Sequence, residues 1–248
     1  MGRKIQFHDM GIVFDLVLKV AFRYVFLTFL WKSIFQYNQL GNWEFETYRI
    51  YIGASVLLSS LISYPNIYYM SLDIKSGGVI NYLSKPIYYP LHLIFKNIGI
   101  GISNTTVLVP LFIIYIILTN TKLSGVNVLY FIFLSILGVL SYILFDILMG
   151  LFTFWLQNSW GLSILKITIF SFFSGSILPL DFFPSGIKKI MEISPFPGMI
   201  YRPIMVLIQG EERFFLQLFI QLFWCVALLI LIILVFEKCK KNVVINGG

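Results

Sequence analysis

Charge is scarce in this chain. Of its 248 residues only 12% are charged, against 58% hydrophobic, with a mean hydropathy of +0.88. Soluble domains carry about 25% charged residues, so a water-facing surface could not be covered with so few ions, whereas a lipid-facing one needs none. Histidine is nearly missing as well, with only His8 and His92, and the sequence holds no HExxH, no GxSxG and no Asp-rich metal motif. Common hydrolase and metalloenzyme chemistry therefore lacks its residues, and no metal site is expected. No Gly-Lys dipeptide occurs anywhere, which removes the Walker A route to ATP binding. The two cysteines, Cys225 and Cys239, lie in or beside the last apolar run without ligand spacing and read as packing residues. The net charge of +7 is scattered rather than striped along one element, which argues against nucleic acid as a partner.

What the chain does have is long apolar runs. A helix needs about 20 apolar residues to cross roughly 30 Å of hydrocarbon, and six runs qualify or nearly qualify: residues 11–35, 48–69, 91–118, 128–155, 162–178 and 214–236. The alternation of a β-barrel is missing, so an all-α integral membrane fold of six transmembrane helices in one domain is expected. No cleavable signal peptide is expected, since the first run carries Asp15, Lys19 and Arg23 and no small-residue cleavage site follows. Two shorter pieces, 182–193 and 199–208, are interrupted or flanked by Pro179, Pro184, Pro195, Pro197 and Pro203 and are too short to cross alone.

Lys and Arg in short loops set orientation. With six spans, one side would hold both termini and Arg3, Lys4, Lys75, Lys85, Lys96, Lys166, Lys238, Lys240 and Lys241. The other side's first loop is acidic through Glu44 and Glu46, and its second holds only Lys122. Both termini are thus expected in the cytoplasm. Asp15, Lys19 and Arg23 stand four apart and form one helical stripe. About fifteen Leu, Ile, Val and Phe residues in the first run favour insertion by roughly 5 to 9 kcal/mol, and each central Lys or Arg opposes it by roughly 2.5 to 3.5. An Asp15–Lys19 pair would help slightly. A continuous helix is favoured over an interfacial helix that ends near Arg23 and is followed by a short span.

Two connections stand out. Residues 71–87 place Ile80, Leu83 and Ile87 at helical spacing, with Asp73, Lys75, Asn81 and Lys85 as polar contacts and Lys85-Pro86 as a stop. The segment reads either as a surface helix joining two spans or as a docking helix for a cytosolic partner. Residues 173–197 turn at Pro179 and continue through amphipathic pieces. Irregular backbone at membrane depth survives only when buried in protein or lining a cavity, so this segment reads as a partly inserted outer cap or as an interfacial helix. Asp146 lies deep in the fourth run, either paired, with Lys19 or Arg23 as candidate partners, or in contact with substrate.

Asp73-Ile74-Lys75-Ser76-Gly77 followed by Leu83-Ser84-Lys85-Pro86-Ile87 resembles the Ile-Arg-x-Gly … Leu-x-Arg-Pro loop of type-2 ABC exporter permeases. Residues 154–161 resemble that family's fourth-to-fifth connection. Pro179-Leu180-Asp181-Phe182-Phe183-Pro184, Pro195-Phe196-Pro197 and Tyr201-Arg202-Pro203-Ile204 resemble its outer segment. The matches run in order from about residue 31 to residue 210 and are most similar to the bacterial ABC-2 family transporter proteins; the N-terminus departs in being shorter than in members with a separate connecting helix. The resemblance implies the type-2 exporter fold, with a cytoplasmic coupling helix and an outer re-entrant hairpin. It implies a plasma-membrane permease subunit of an ATP-driven exporter for an amphipathic drug, peptide or lipid-linked molecule. The ATPase would be two separate cytosolic subunits, which hold the ATP and Mg, with no cofactor in this chain. A second permease chain, identical or paralogous, would complete the path among membrane lipids. Asp73, Lys75, Gly77, Asn81, Leu83, Lys85 and Pro86 would couple to the ATPase. Pro179, Asp181, Phe182, Phe183, Pro184, Pro195, Phe196 and Pro197 would form the extracellular gate. The alternative is a secondary transporter or channel without an ATPase, although the two halves of the chain show no convincing repeat.

Overall fold

The computed structural model describes residues 2–37, 43–62, 66–83, 88–119, 123–156, 159–210 and 214–241. Helices dominate them: α1 (Gly2–Tyr37), α2 (Phe45–Leu61), α3 (Asn66–Lys75), α4 (Ile80–Leu83), α5 (Tyr89–Leu118), α6 (Gly125–Leu151), α7 (Ser159–Phe173), α8 (Ser185–Ile193), α9 (Tyr201–Gln209) and α10 (Phe214–Lys241). Short 3-10 turns cover 152–154, 180–182 and 197–199. Apolar residues run on all sides of the long helices, which keeps them helical in either protein or lipid surroundings, because every backbone group is satisfied within the segment.

Length and composition qualify four stretches to cross a bilayer: Phe45–Lys75, which takes in α2 and α3, then Tyr89–Ile117, Gly125–Phe154 and Phe214–Lys240. The other two expected spans fall outside that set for different reasons. α7 has 15 residues, about 22 Å at 1.5 Å per residue, short of the roughly 30 Å hydrocarbon layer. α1 has 36 residues, about 54 Å, but its charges interrupt the apolar window. It is continuous through Arg23, as favoured from the sequence, and its Lys19 ammonium bonds Asp15 at 2.5 Å on an exposed face.

α6 is the central element, buried from Ser141 to Ile147 and packed on α10, α9 and α3. Its register is set by small residues. A Cβ on Gly138 would come within 2.8 Å of the Gly198 carbonyl oxygen, so only glycine lets α6 approach the 197–199 turn. Twelve residues further on, Gly150 faces Met70 of α3. α6 therefore meets the 197–199 turn near its middle, at Gly138, and α3 along its last two turns, from Asp146 to Gly150.

Three expectations about boundaries change. The fifth run leaves helix at Phe173, five residues before Leu178, because Ser174 to Leu178 follow a non-helical path through Gly175 at φ +78°. Asp73 and Lys75 belong to the end of α3, so the short helix that follows is only Ile80–Leu83 among the described residues. Lys85 and Pro86 lie outside the described residues. Lys166 is no loop cation; it sits inside α7 and is buried.

Candidate functional site

The chemistry concentrates in a buried polar cluster where four helices meet. Asp146 of α6 is 1% exposed, and its Oδ1 accepts from Lys166 Nζ of α7 at 2.8 Å. Its Oδ2 accepts from Asn66 Nδ2 of α3 at 2.6 Å. Asn66 and Asn97 of α5 exchange side-chain hydrogen bonds at 2.8 and 3.0 Å, and Asn97 also donates to the Leu93 carbonyl at 2.7 Å. Lys166 lies 5.8 Å from the centre of the Tyr142 ring, one turn before Asp146. The carboxylate thus has a counter-ion and an amide donor, which a buried charge requires.

The pairing expected of Asp146 is present, but its partner differs from both candidates. Lys19 is held by Asp15 on an exposed face of α1, and the ammonium that reaches Asp146 is Lys166, twenty residues along the chain. Lys166, Asn66 and Asn97 were not among the site residues read from the sequence. Lys166 carried a usable signal: a cation in the middle of an apolar helix needs a buried anion, and Asp146 is the anion available in the neighbouring run.

One face of α3 joins this cluster to the turn below it. Asn66, Met70 and Asp73 are spaced i, i+4, i+7 and contact Asp146, Gly150 and Tyr89 in turn; the Tyr89 hydroxyl donates to Asp73 Oδ2 at 3.1 Å. α3 ends at Lys75, and two residues on Gly77 takes a φ of +71°, the left-handed conformation that glycine adopts after helix C-termini, with its N–H on the Ile74 carbonyl at 3.1 Å. Successive i+3 bonds from Ile80, Asn81 and Tyr82 build the turn into α4. Tyr82 packs on Tyr89 and His92, which fixes the turn to the start of α5, while Lys75 and Asn81 face outward. Of Leu83 only the backbone position, at the end of α4, is described.

The segment that follows α7, residues 174–197, is anchored by α2. Tyr51 donates to the Gly175 carbonyl at 2.5 Å and Ser55 to the Ser176 carbonyl at 2.9 Å, while the Tyr201 N–H takes the Ser174 carbonyl at 3.1 Å. Backbone acceptors released by the end of α7 are thereby satisfied inside protein. Pro179 is buried, and Pro184 caps α8. Asp181 receives Lys188 at 2.7 Å and the Tyr201 hydroxyl at 2.9 Å. Phe182 enters an aromatic cluster with Trp31, Trp43 and Tyr48, and Phe183 packs on Phe172. Phe196 packs on Phe145 and Phe173 between half-buried Pro195 and buried Pro197. Phe172 and Phe173 of α7, themselves in contact, link Phe183 to Phe196. Arg23 is half-buried on α1, and the side chains that bond Asp146 are Lys166 and Asn66.

Residues 20–247 match the model of the ABC-2 family transporter proteins. The chain belongs to that family. It is therefore a multi-pass membrane protein with the permease role of an ABC transporter, in a family that is generally non-catalytic and usually works with ABC ATPase partners. Neither the curated proteins nor the solved structures searched contain a match. In the permease, the ordered motifs that suggested this family lie within the matched span.

Proposed function

We propose that the permease is the membrane subunit of an ATP-driven exporter that moves an amphipathic drug, peptide or lipid-linked molecule from the cytoplasm or inner leaflet across the plasma membrane. Two permease chains, identical or paralogous, line the path, and two cytosolic ATPase subunits supply ATP and Mg chemistry. The chain is a single transmembrane domain with α1, α2–α3, α5, α6, α7 and α10 as its crossings and both termini in the cytoplasm. The excess length of α1 supports this: its hydrocarbon share takes about 20 residues, which leaves the half with Asp15 and Lys19 in the cytoplasmic interface. Residues 174–178, with their carbonyls taken by Tyr51, Ser55 and Tyr201, extend the short α7 as a re-entrant outer segment.

The observation that carries the mechanism is the continuous face of α3 between the α4 turn and Asp146. Asp73, Lys75, Gly77, Asn81, Leu83, Lys85 and Pro86 form the surface that docks on the ATPase. Closure of the ATPase presses on that turn, and α3 transmits the displacement as a rigid rod through Asn66 to the Asp146–Lys166 pair. Lys166 belongs to α7, whose C-terminal end runs into the gate built from Pro179, Asp181, Phe182, Phe183, Pro184, Pro195, Phe196 and Pro197. The route has a discrete joint at each step, as coupling between distant sites requires.

The test is reconstitution of the permease with its ATPase in lipid vesicles. Vanadate-sensitive ATP hydrolysis should be stimulated only in the complex, and Asn81→Cys should cross-link to the ATPase. Asn66→Leu should leave cross-linking intact while uncoupling hydrolysis from transport. Transport that persists with the ATPase absent would instead identify a secondary transporter or channel.

A further inference from the structure

A lateral cavity of about 370 Å³ opens between α2, α5 and α6, at a place the coupling route does not use. Its size falls within the roughly 300–1,000 Å³ of small-molecule sites. Leu57 and Leu61 of α2, Gly101 and Thr105 of α5, and Ser135 and Leu140 of α6 line it, and among the described residues no charged one does. Ile102 and Ile136, also in the lining, are 63% and 62% exposed, so the cavity opens sideways to whatever phase surrounds the helices. It lies at mid-length of two membrane-crossing stretches, Tyr89–Ile117 and Gly125–Phe154, and that phase is therefore hydrocarbon.

We infer that this groove binds one acyl chain of a membrane lipid. The lining fits a hydrocarbon and nothing more polar. The Thr105 hydroxyl is already committed to the Gly101 carbonyl at 2.7 Å. The Ser135 hydroxyl is buried without a hydrogen-bond partner among the described residues, and a single hydroxyl cannot hold a charged headgroup. The headgroup stays at the membrane surface while the chain fills the groove. Gly101 makes room for it: a Cβ built there meets nothing within 4 Å. A chain in this place fills a gap between α2, α5 and α6 that would otherwise leave the lining without contact partners.

The full chain is assembled in vesicles that contain a phosphatidylcholine with a diazirine at the middle of one acyl chain. It is then extracted, washed in detergent and irradiated, so that only retained lipid reacts. Cross-links should concentrate on residues 98–109 and 131–143 and be missing from the exposed α10 face around Phe223. Even labelling of both regions, or none after the wash, overturns the inference. Gly101→Leu, whose Cβ meets open space and whose longer side chain takes up room in the groove, should lose the cross-links; retention in a variant that elutes normally would overturn it. Ser135→Ala should label as the parent does, and its loss of labelling would mean an oxygen-bearing ligand in place of a plain chain. Cysteines at Ile102 and Ile136 should form no disulfide between copies, because such a bond would assign the groove to a second permease.

Discussion

Two ion pairs of the same chemistry sit in opposite surroundings. Asp146 and Lys166 are joined at 2.8 Å with side chains 1% and 7% exposed, while Asp15 and Lys19 are joined at 2.5 Å with side chains 60% and 71% exposed. Distance alone would rank them alike. Burial separates them, since exposed pairs contribute about 0–1 kcal/mol, whereas a buried charge that loses its partner is left without solvation. The exposed pair lets one turn of α1 tolerate its charges, and the buried pair, extended by Asn66 and Asn97, joins four helices.

The strongest way to break this contrast is Asp146→Ala. It strands the Lys166 ammonium and should destabilise the permease by about 3–5 kcal/mol, read as a fall in the thermal unfolding midpoint in lipid nanodiscs. The double change Asp146→Leu with Lys166→Leu should recover most of that loss, because no charge is then buried alone; a double variant as unstable as the single one would refute a pairing role. If the pair also transmits motion, the recovered variant should still fail to couple hydrolysis to transport.

Tyr51→Phe tests whether burial raises the weight of a backbone bond in the same way. Loss of the donor to the Gly175 carbonyl should destabilise by about 1–3 kcal/mol, with increased protease sensitivity in residues 174–184. Unchanged sensitivity would mean that residues 174–184 are held by their aromatic contacts alone. Gly77→Ala forces a side chain into the left-handed region at φ +71° and should lose about 1–2 kcal/mol, read as weaker association of the ATPase. Asp15→Asn should change stability by less than about 1 kcal/mol; a larger effect would place that stripe in hydrocarbon or against a second chain.

The candidate site was legible in unequal parts. Asp146 stood out because a carboxylate in a long apolar run is costly and needs a reason. Lys166 lies inside the 162–178 run, yet counting it among the cytoplasmic-side cations passed over the cost of a lysine within an apolar helix and the buried anion that such a lysine needs. Asn66 and Asn97 gave little signal, because a single amide in an apolar helix does not announce its partner. The α4 turn and the path after α7 were visible from Gly77, Pro179, Pro184 and Pro197, residues whose backbone demands are local.

The membrane environment, the helical fold and the family follow from sequence alone, because transfer into lipid is a sum over neighbouring residues and the motifs are contiguous. The partner of Asp146, the path of the 174–178 backbone and the groove beside Gly101 were decided only in the folded chain. Each depends on how helices rotate and approach one another, and that is set by close packing between residues far apart in sequence.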